Sequence, residues 1–225
     1  MTRHHATTTP GTVRQAVLID FGGVLTTSVL DAFRAFGEEE CHDRDLPLRL
    51  LTEDEQSRKL LSAHEEGRLS AEEFETGFAA RLKLHGATVE PRDLVARIQK
   101  RLQRDESMVT LVNTVRTQGI RVGLISNSFG SDTYVGWDLD SLFDSVTISG
   151  REGVRKPSRR LYQIACDRLG CHPTEIVMID DLKQNIVAAE RLGMVGITHR
   201  DAATTTAKLA QHLGRPQAEF MPASR

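Results

Sequence analysis

Asp20 follows the apolar run Ala16–Ile19 and precedes Phe21-Gly22-Gly23, so a carboxylate stands where a buried strand ends and the backbone turns sharply. Asp180 and Asp181 end a second such run, Ile176–Ile179. Ser126 and Asn127 close a third, Arg121–Ile125, and Lys156 stands in a loop reading GVRKP. Their chemistries are complementary. Carboxylates with a glycine carbonyl suit Mg2+, a hard cation that takes oxygen ligands and keeps water. A serine hydroxyl and backbone N–H groups in a tight turn suit phosphate oxygens. A lysine sets positive charge against phosphate and against the acidic cluster. Together they suit phosphoryl transfer to an aspartate nucleophile, with cation and lysine neutralising the transition-state charge.

Each group also has a plainer reading. Asp20 can cap the turn after it, and Asp180–Asp181 the helix after them. Asn127 with Ser128 can shape a turn, and Lys156 can be a solvated loop lysine. Two adjacent carboxylates ending a buried strand are nonetheless costly without a cation.

The chemistry needs these groups to converge, and the elements between them say how. Runs at Ala16–Ile19, Arg121–Ile125, Ser145–Ser149, Ile176–Ile179 and Met194–Thr198 read as strands buried on both faces. Helical spacing separates them at Met108–Gln118, Ser158–Leu169 and Lys183–Leu192, and a last helix covers Ala202–Leu213. Strands alternating with helices of this length predict an α/β fold with a doubly wound parallel sheet. In such a sheet the loops leaving the strands share one edge, so all four groups can meet. One block breaks the alternation. From Asp31 to about Arg104, helical patterns at Leu46–Leu51, Arg58–His64, Ala71–Leu84 and Pro91–Leu102 predict an inserted α-helical module. Ser70 with Glu73 forms a capping box, and Pro91 suits the first turn of the last of these helices. The organisation expected is a flexible tail over 1–13, a core made of 14–30 and 105–214, a helical cap over 31–104, and a tail over 215–225.

Composition excludes several classes. With 225 residues, 39% hydrophobic and 27% charged, the chain is an ordinary globule, and its net charge of −2 offers no footprint for nucleic acid or for an anionic membrane. No apolar run approaches a membrane span, and the amino-terminal stretch lacks the apolar heart of a signal peptide. Cys41, Cys166 and Cys171 are odd in number and lack metal-type spacing, which favours reduced thiols in a cytoplasmic compartment. His4 and His5 read as incidental.

The order DFGGVLT, LISNS, GVRKP and MIDDLKQNIVAAERLGM resembles the haloacid dehalogenase superfamily of aspartate-nucleophile hydrolases, from about Ala16 to about Thr198. Within it the chain looks most like the branch holding the amino-terminal phosphatase domain of soluble epoxide hydrolases and bacterial glucose-1-phosphate phosphatases. The resemblance implies a Rossmann-like core with a cap and a small phosphorylated metabolite as substrate. It implies that Asp20 is nucleophile and metal ligand, with the Gly22 carbonyl on Mg2+ and Gly23 in the substrate-binding turn. Ser126 and Asn127 would hold the phosphoryl group, and Lys156 would steady nucleophile and phosphoryl oxygens. Asp181 falls where the principal distal metal ligand sits, with Asp180 beside it, and Asn185 where many relatives carry another acid.

One position departs from the pattern. Most phosphatases of the superfamily carry a second Asp two residues after the nucleophile, which protonates the leaving oxygen and activates water. Here that residue is Gly22. General acid–base help is worth about 10² to 10⁴ in rate. A leaving group that needs little protonation, such as a sugar 1-phosphate or an acyl or aryl phosphate, suffers least, and the sugar-phosphate relatives also have Gly. A proton from cap histidines His42, His64 or His85 is a further route. Two alternatives keep the same Asp20: cleavage of a carbon–halogen or carbon–phosphorus bond, the latter needing a cap lysine such as Lys59 or Lys83, or a fold retained for binding with little catalysis.

Overall fold

A computed structural model describes residues 14–221 of the chain. The expected tail over 1–13, with His4 and His5, lies outside the described residues, as do the last four residues of the chain. Five strands form one sheet: β1 Ala16–Ile19, β2 Arg121–Ser126, β3 Ser145–Ile148, β4 Ile176–Asp180 and β5 Val195–Thr198. Their order is β3-β2-β1-β4-β5, and every pairing is parallel. The doubly wound arrangement follows from the chain itself, because parallel neighbours need a crossover and each crossover here carries a helix.

The central strand shows why the sheet is apolar on both faces. Val17 and Ile19 join a cluster with Val112, Val122, Leu124 and Ile179, while Ala16 and Leu18 join a second cluster with Leu161, Tyr162 and Met178. Strand residues alternate sides, so a strand covered on both faces must be apolar throughout. Fully burying one such side chain stabilises by about 1.5–3 kcal/mol. The helices that cover the faces are α6 Glu106–Thr117, α9 Arg159–Leu169, α10 Lys183–Glu190 and α11 Ala202–Leu213.

Between β1 and α6 lie α1 Val29–Phe36, a π-turn Gly37–Cys41, α2 Leu46–Glu53, α3 Glu55–Glu65, α4 Ala71–Leu84 and α5 Leu94–Gln99. These helices share a hydrophobic cluster of their own, around Phe33, Phe36, Phe74, Phe78, Leu94 and Ile98. The chain enters and leaves this block side by side. Thr27 N donates to Gln103 O (2.8 Å), Asp105 N to Leu25 O (2.9 Å), and Thr26 bridges Arg104.

Several elements differ from expectation. α1 begins at Val29, two residues ahead of the helical block expected from Asp31, because Ser28 Oγ accepts the Asp31 N–H and caps it. α5 is shorter than Pro91–Leu102: Asp93 is left-handed at φ 57°, and buried Glu75 on α4 takes the Val95 N–H at 3.0 Å, so a tertiary contact sets the start. Ser149, expected to end β3, opens a short helix, α8 Ser149–Glu152, and α7 spans Leu139–Leu142. Residues 215–221 are not a free tail. Gln217–Phe220 form a 3₁₀ turn, and Phe220 is buried in the cluster with Val17 and Val112. Among the described residues no helix is long and apolar enough to cross a membrane.

Candidate active site

Register places the acidic groups together. Ile19 pairs with Leu124 of β2 and Ile179 of β4, so Asp20 emerges level with the ends of both neighbours, and its N–H donates to Ile179 O at 2.9 Å. Asp20, Asp180 and Asp181 each offer an oxygen within 4.8 Å of the others. Into this group reaches Lys156, itself 1% exposed, with Nζ 2.7 Å from Asp20 Oδ1 and 2.7 Å from Asp180 Oδ2. The Lys156–Pro157 bond is cis.

One ammonium faces three carboxyl groups, and the titration behaviour follows. Burial pushes the Asp20 carboxyl up to about 8 against the pull of Lys156, and Asp180 and Asp181 add to the rise. Asp181 is pushed up to about 6 by burial and by Asp180. Burial opposes the charge on Lys156, yet Asp180 and Asp20 outweigh it and hold the ammonium above its usual range. An all-oxygen donor set with surplus negative charge fits a hard divalent cation, which would reverse the upward shifts.

The two aspartates of the pair are not equivalent. Asp180 is fully buried. Its Oδ1 accepts from Leu182 N (2.9 Å), its Oδ2 takes Lys156, and Asn185 Nδ2 lies 3.0 Å from both oxygens. Asn185 therefore fixes Asp180. Asp181 is half-buried and more open. Gly23 makes room for it: a Cβ there would run into the Asp181 carboxylate, and φ is +75°. The Gly23 N–H donates to Thr26 Oγ1 at 3.2 Å.

The loop after β2 meets the lysine loop. Asn127 Oδ1 accepts from Lys156 N (2.8 Å) and Nδ2 donates to Lys156 O (3.2 Å), so this side chain clamps the lysine backbone. Ser126 is buried, and its Oγ accepts from the Tyr134 phenol at 2.8 Å. Tyr134 and Trp137 pack edge-on against Phe21, the residue after Asp20.

The remaining sequence candidates are packed, paired or exposed to solvent. His64 stacks on Phe74 (4.8 Å) and shares Nδ1 with Leu69 O, and burial lowers its pKa, so it is a packing residue. His42 is an exposed left-handed residue after the π-turn, and His85 is exposed at the end of α4. Lys59 is 66% exposed and pairs with Glu55, and Lys83 also faces solvent. Neither lysine is a buried amine of the kind that carbon–phosphorus cleavage needs.

Sequence reasoning missed Glu65, Ser149 and Arg155. Glu65 ends α3, and its backbone C=O accepts from Ser149 Oγ, which in turn accepts from Ser128 N at 2.7 Å. Arg155 donates Nη1 to Ser62 Oγ (2.8 Å) and Nε to Lys156 O (3.2 Å). The only sequence signal was the charged run HEEGR, which follows the helical pattern ending at His64 and has no readable role on its own.

The parallel sheet thus brings three acidic groups and a lysine together at one strand edge. The family model for haloacid dehalogenase-like hydrolases matches residues 15–193, and the chain belongs to that family. A sesquiterpene phosphatase of Aspergillus oryzae is 30% identical over 119 residues, 50% of this chain and 59% of its own. The bifunctional epoxide hydrolase 2 of Rattus norvegicus is 34% identical over 77 residues, 34% of this chain and 14% of its own. The chain thus spans under two thirds of these relatives. Among solved structures, a haloacid dehalogenase family enzyme of Bacteroides thetaiotaomicron, in complex with magnesium and inorganic phosphate, superposes with a TM-score of 0.61 at 21% identity, covering 83% of this chain and 94% of its own.

Proposed function

We propose that the protein is a Mg2+-dependent phosphatase that hydrolyses a small phosphorylated metabolite through an aspartyl-phosphate on Asp20. The observation that carries this reading is the buried Lys156 ammonium, 2.7 Å from Asp20 and from Asp180 within a cluster of three carboxyl groups. Asp20, Asp181 and the Gly22 carbonyl would hold the cation, which supplies charge neutralisation for the phosphoryl oxygens. Asp20 attacks phosphorus, and the leaving oxygen takes the electrons of the broken P–O bond. Ser126 and Asn127 hold the phosphoryl group, with Gly23 in the same turn. Lys156 neutralises charge on nucleophile and phosphoryl oxygens, oriented by Asp180 and clamped by Asn127. Water then cleaves the aspartyl-phosphate and returns the Asp20 carboxylate.

In this reading the helices of 29–99 are the cap that selects the substrate. A sugar phosphate leaving through a hemiacetal oxygen suits a site with Gly at position 22. The three cysteines are free and buried, which supports a reducing, cytoplasmic setting. The test is phosphate release from a panel of phosphorylated metabolites with Mg2+, with EDTA, and with Asp20→Asn. Turnover lost in the last two arms supports the reading, and no turnover of any ester refutes it.

A further inference from the structure

Nothing at position 22 can move a proton, and the backbone there has little room for a side chain. A Cβ on Gly22 would stand 2.7 Å from Val29 Cγ2, on the first residue of α1, and a β-branched side chain in a helix has one preferred rotamer. A carboxyl two residues after Asp20 is therefore opposed by packing, and any proton given to the leaving oxygen or taken from water has to pass through another group.

We propose that Glu65, at the end of α3, is the proton donor and acceptor of this site: the group that protonates the leaving oxygen and later deprotonates the attacking water. The proposal rests on the phosphatase reading above. Glu65 is seated on both loops that hold the phosphoryl-binding groups. Its backbone carbonyl is tied through Ser149 Oγ to Ser128 N, one residue beyond Asn127. Its carboxylate Oε2 lies 2.7 Å from Arg155 Nε, one residue before Lys156. The turn that follows is flush with the core, since a Cβ on Gly67 (φ +71°) would strike the Gly150 carbonyl, and Gly150 itself stands close to Ser128.

The environment of the carboxyl fits the role. Its side chain is 13% exposed. Arg155 gives its Nε–H to Lys156 O and its Nη1 to Ser62, so Glu65 Oε2 feels the guanidinium charge while receiving no directed hydrogen bond. The groups that face it are Arg155, Lys156 and Glu66. Burial pushes its pKa up to about 7, more than Arg155 and Lys156 pull it down, with Glu66 adding to the rise. A carboxyl near that value can both give and take a proton at neutral pH. Neighbouring groups are otherwise engaged: Tyr134 donates to Ser126, and Glu66 pairs with Arg68.

The proton balance closes over the cycle. In the first half, Asp20 bonds to phosphorus, the P–O bond to the leaving group breaks, and the Glu65 proton passes to that oxygen to give the alcohol. In the second, water bonds to phosphorus and loses a proton to the Glu65 carboxylate while the bond to Asp20 breaks, giving inorganic phosphate.

The test compares kcat/KM of parent and Glu65→Gln, with Mg2+, on two esters: an alkyl phosphate, whose alkoxide needs a proton, and p-nitrophenyl phosphate, whose phenolate does not. Glu65→Gln should lose about 10² to 10⁴-fold on the alkyl ester and at least tenfold less on the aryl ester, and Glu65→Asp should recover part of the loss. A latch without proton transfer would lower both esters alike. Equal losses, or no loss on the alkyl ester, overturn the proposal. Should Glu65→Gln fail to fold, the parent decides it: the alkyl rate must fall with rising pH through about 7 relative to the aryl rate, and parallel profiles overturn it. A parent inactive on both esters refutes the phosphatase reading itself and this proposal with it.

Discussion

Asn127 grips Lys156 by both backbone polar groups, accepting its N–H at 2.8 Å and donating to its C=O at 3.2 Å. Two loops leaving different strands are thereby locked together, and the ammonium that meets Asp20 is aimed by a residue that need not touch it. Each such bond contributes about 0.5–1.5 kcal/mol net. Asn127→Ala should lower stability by about 1–3 kcal/mol in urea unfolding and reduce kcat more than it raises KM. An unchanged kcat would show that Lys156 holds its place without the clamp.

Divalent cation binding should be visible without turnover. Adding Mg2+ to the parent should raise its melting temperature, since a ligand at 100 times its Kd stabilises by about 2.7 kcal/mol. Asp181→Asn should lose most of that shift while raising the metal-free melting temperature, because one of three crowded carboxyl groups has been neutralised. An equal Mg2+ shift in the variant would place the cation elsewhere.

Gly22 and Val29 should be energetically coupled. Gly22→Asp forces a Cβ to within 2.7 Å of Val29 Cγ2, and overpacking of this kind costs about 1–3 kcal/mol. Adding Val29→Ala should recover part of that loss, a non-additivity that a double-mutant cycle of unfolding free energies reads directly. Strict additivity would mean the two side chains do not compete for the same space.

The pH dependence of stability has a definite sign at Glu65. Between the ordinary glutamate range and about 7, the folded chain keeps a proton that the unfolded chain has released. The Glu65 contribution is thus full at low pH and lost as pH rises through that window. The stability of Glu65→Gln relative to the parent should therefore rise from about pH 5 to about 7 and level off above it. Urea unfolding at a series of pH values checks this, and a pH-independent difference would contradict it.

These positions differ in how far the amino-acid pattern reveals them. Asp20, Ser126 and Asp180 are legible because a strand buried on both faces is a continuous apolar run, and the polar residue ending it marks the edge of the sheet. The parallel, doubly wound character of the sheet was legible from the alternation of strands and helices, whereas the order β3-β2-β1-β4-β5 is set by tertiary pairing that no local pattern records. The helical insertion was legible as a block but not in its details: α1 hides behind an apolar stretch that also reads as extended, and α5 starts where Glu75, 20 residues away, caps it. Glu65 was illegible for a stronger reason. In HEEGR it has no readable role on its own, and its burial depends on Arg155 and Ser149, more than 80 residues later in the chain. Local pattern carries no information about such a contact.

The central claim is that phosphorus is transferred to Asp20. Its most direct test mixes the protein and Mg2+ with an aryl phosphate carrying a labelled phosphoryl group, quenches in acid within one turnover, and maps the label by peptide. The account predicts label on the peptide holding Asp20, released as inorganic phosphate when the reaction runs on, and none in Asp20→Asn. Turnover that leaves Asp20 unlabelled, or that survives Asp20→Asn, would contradict it.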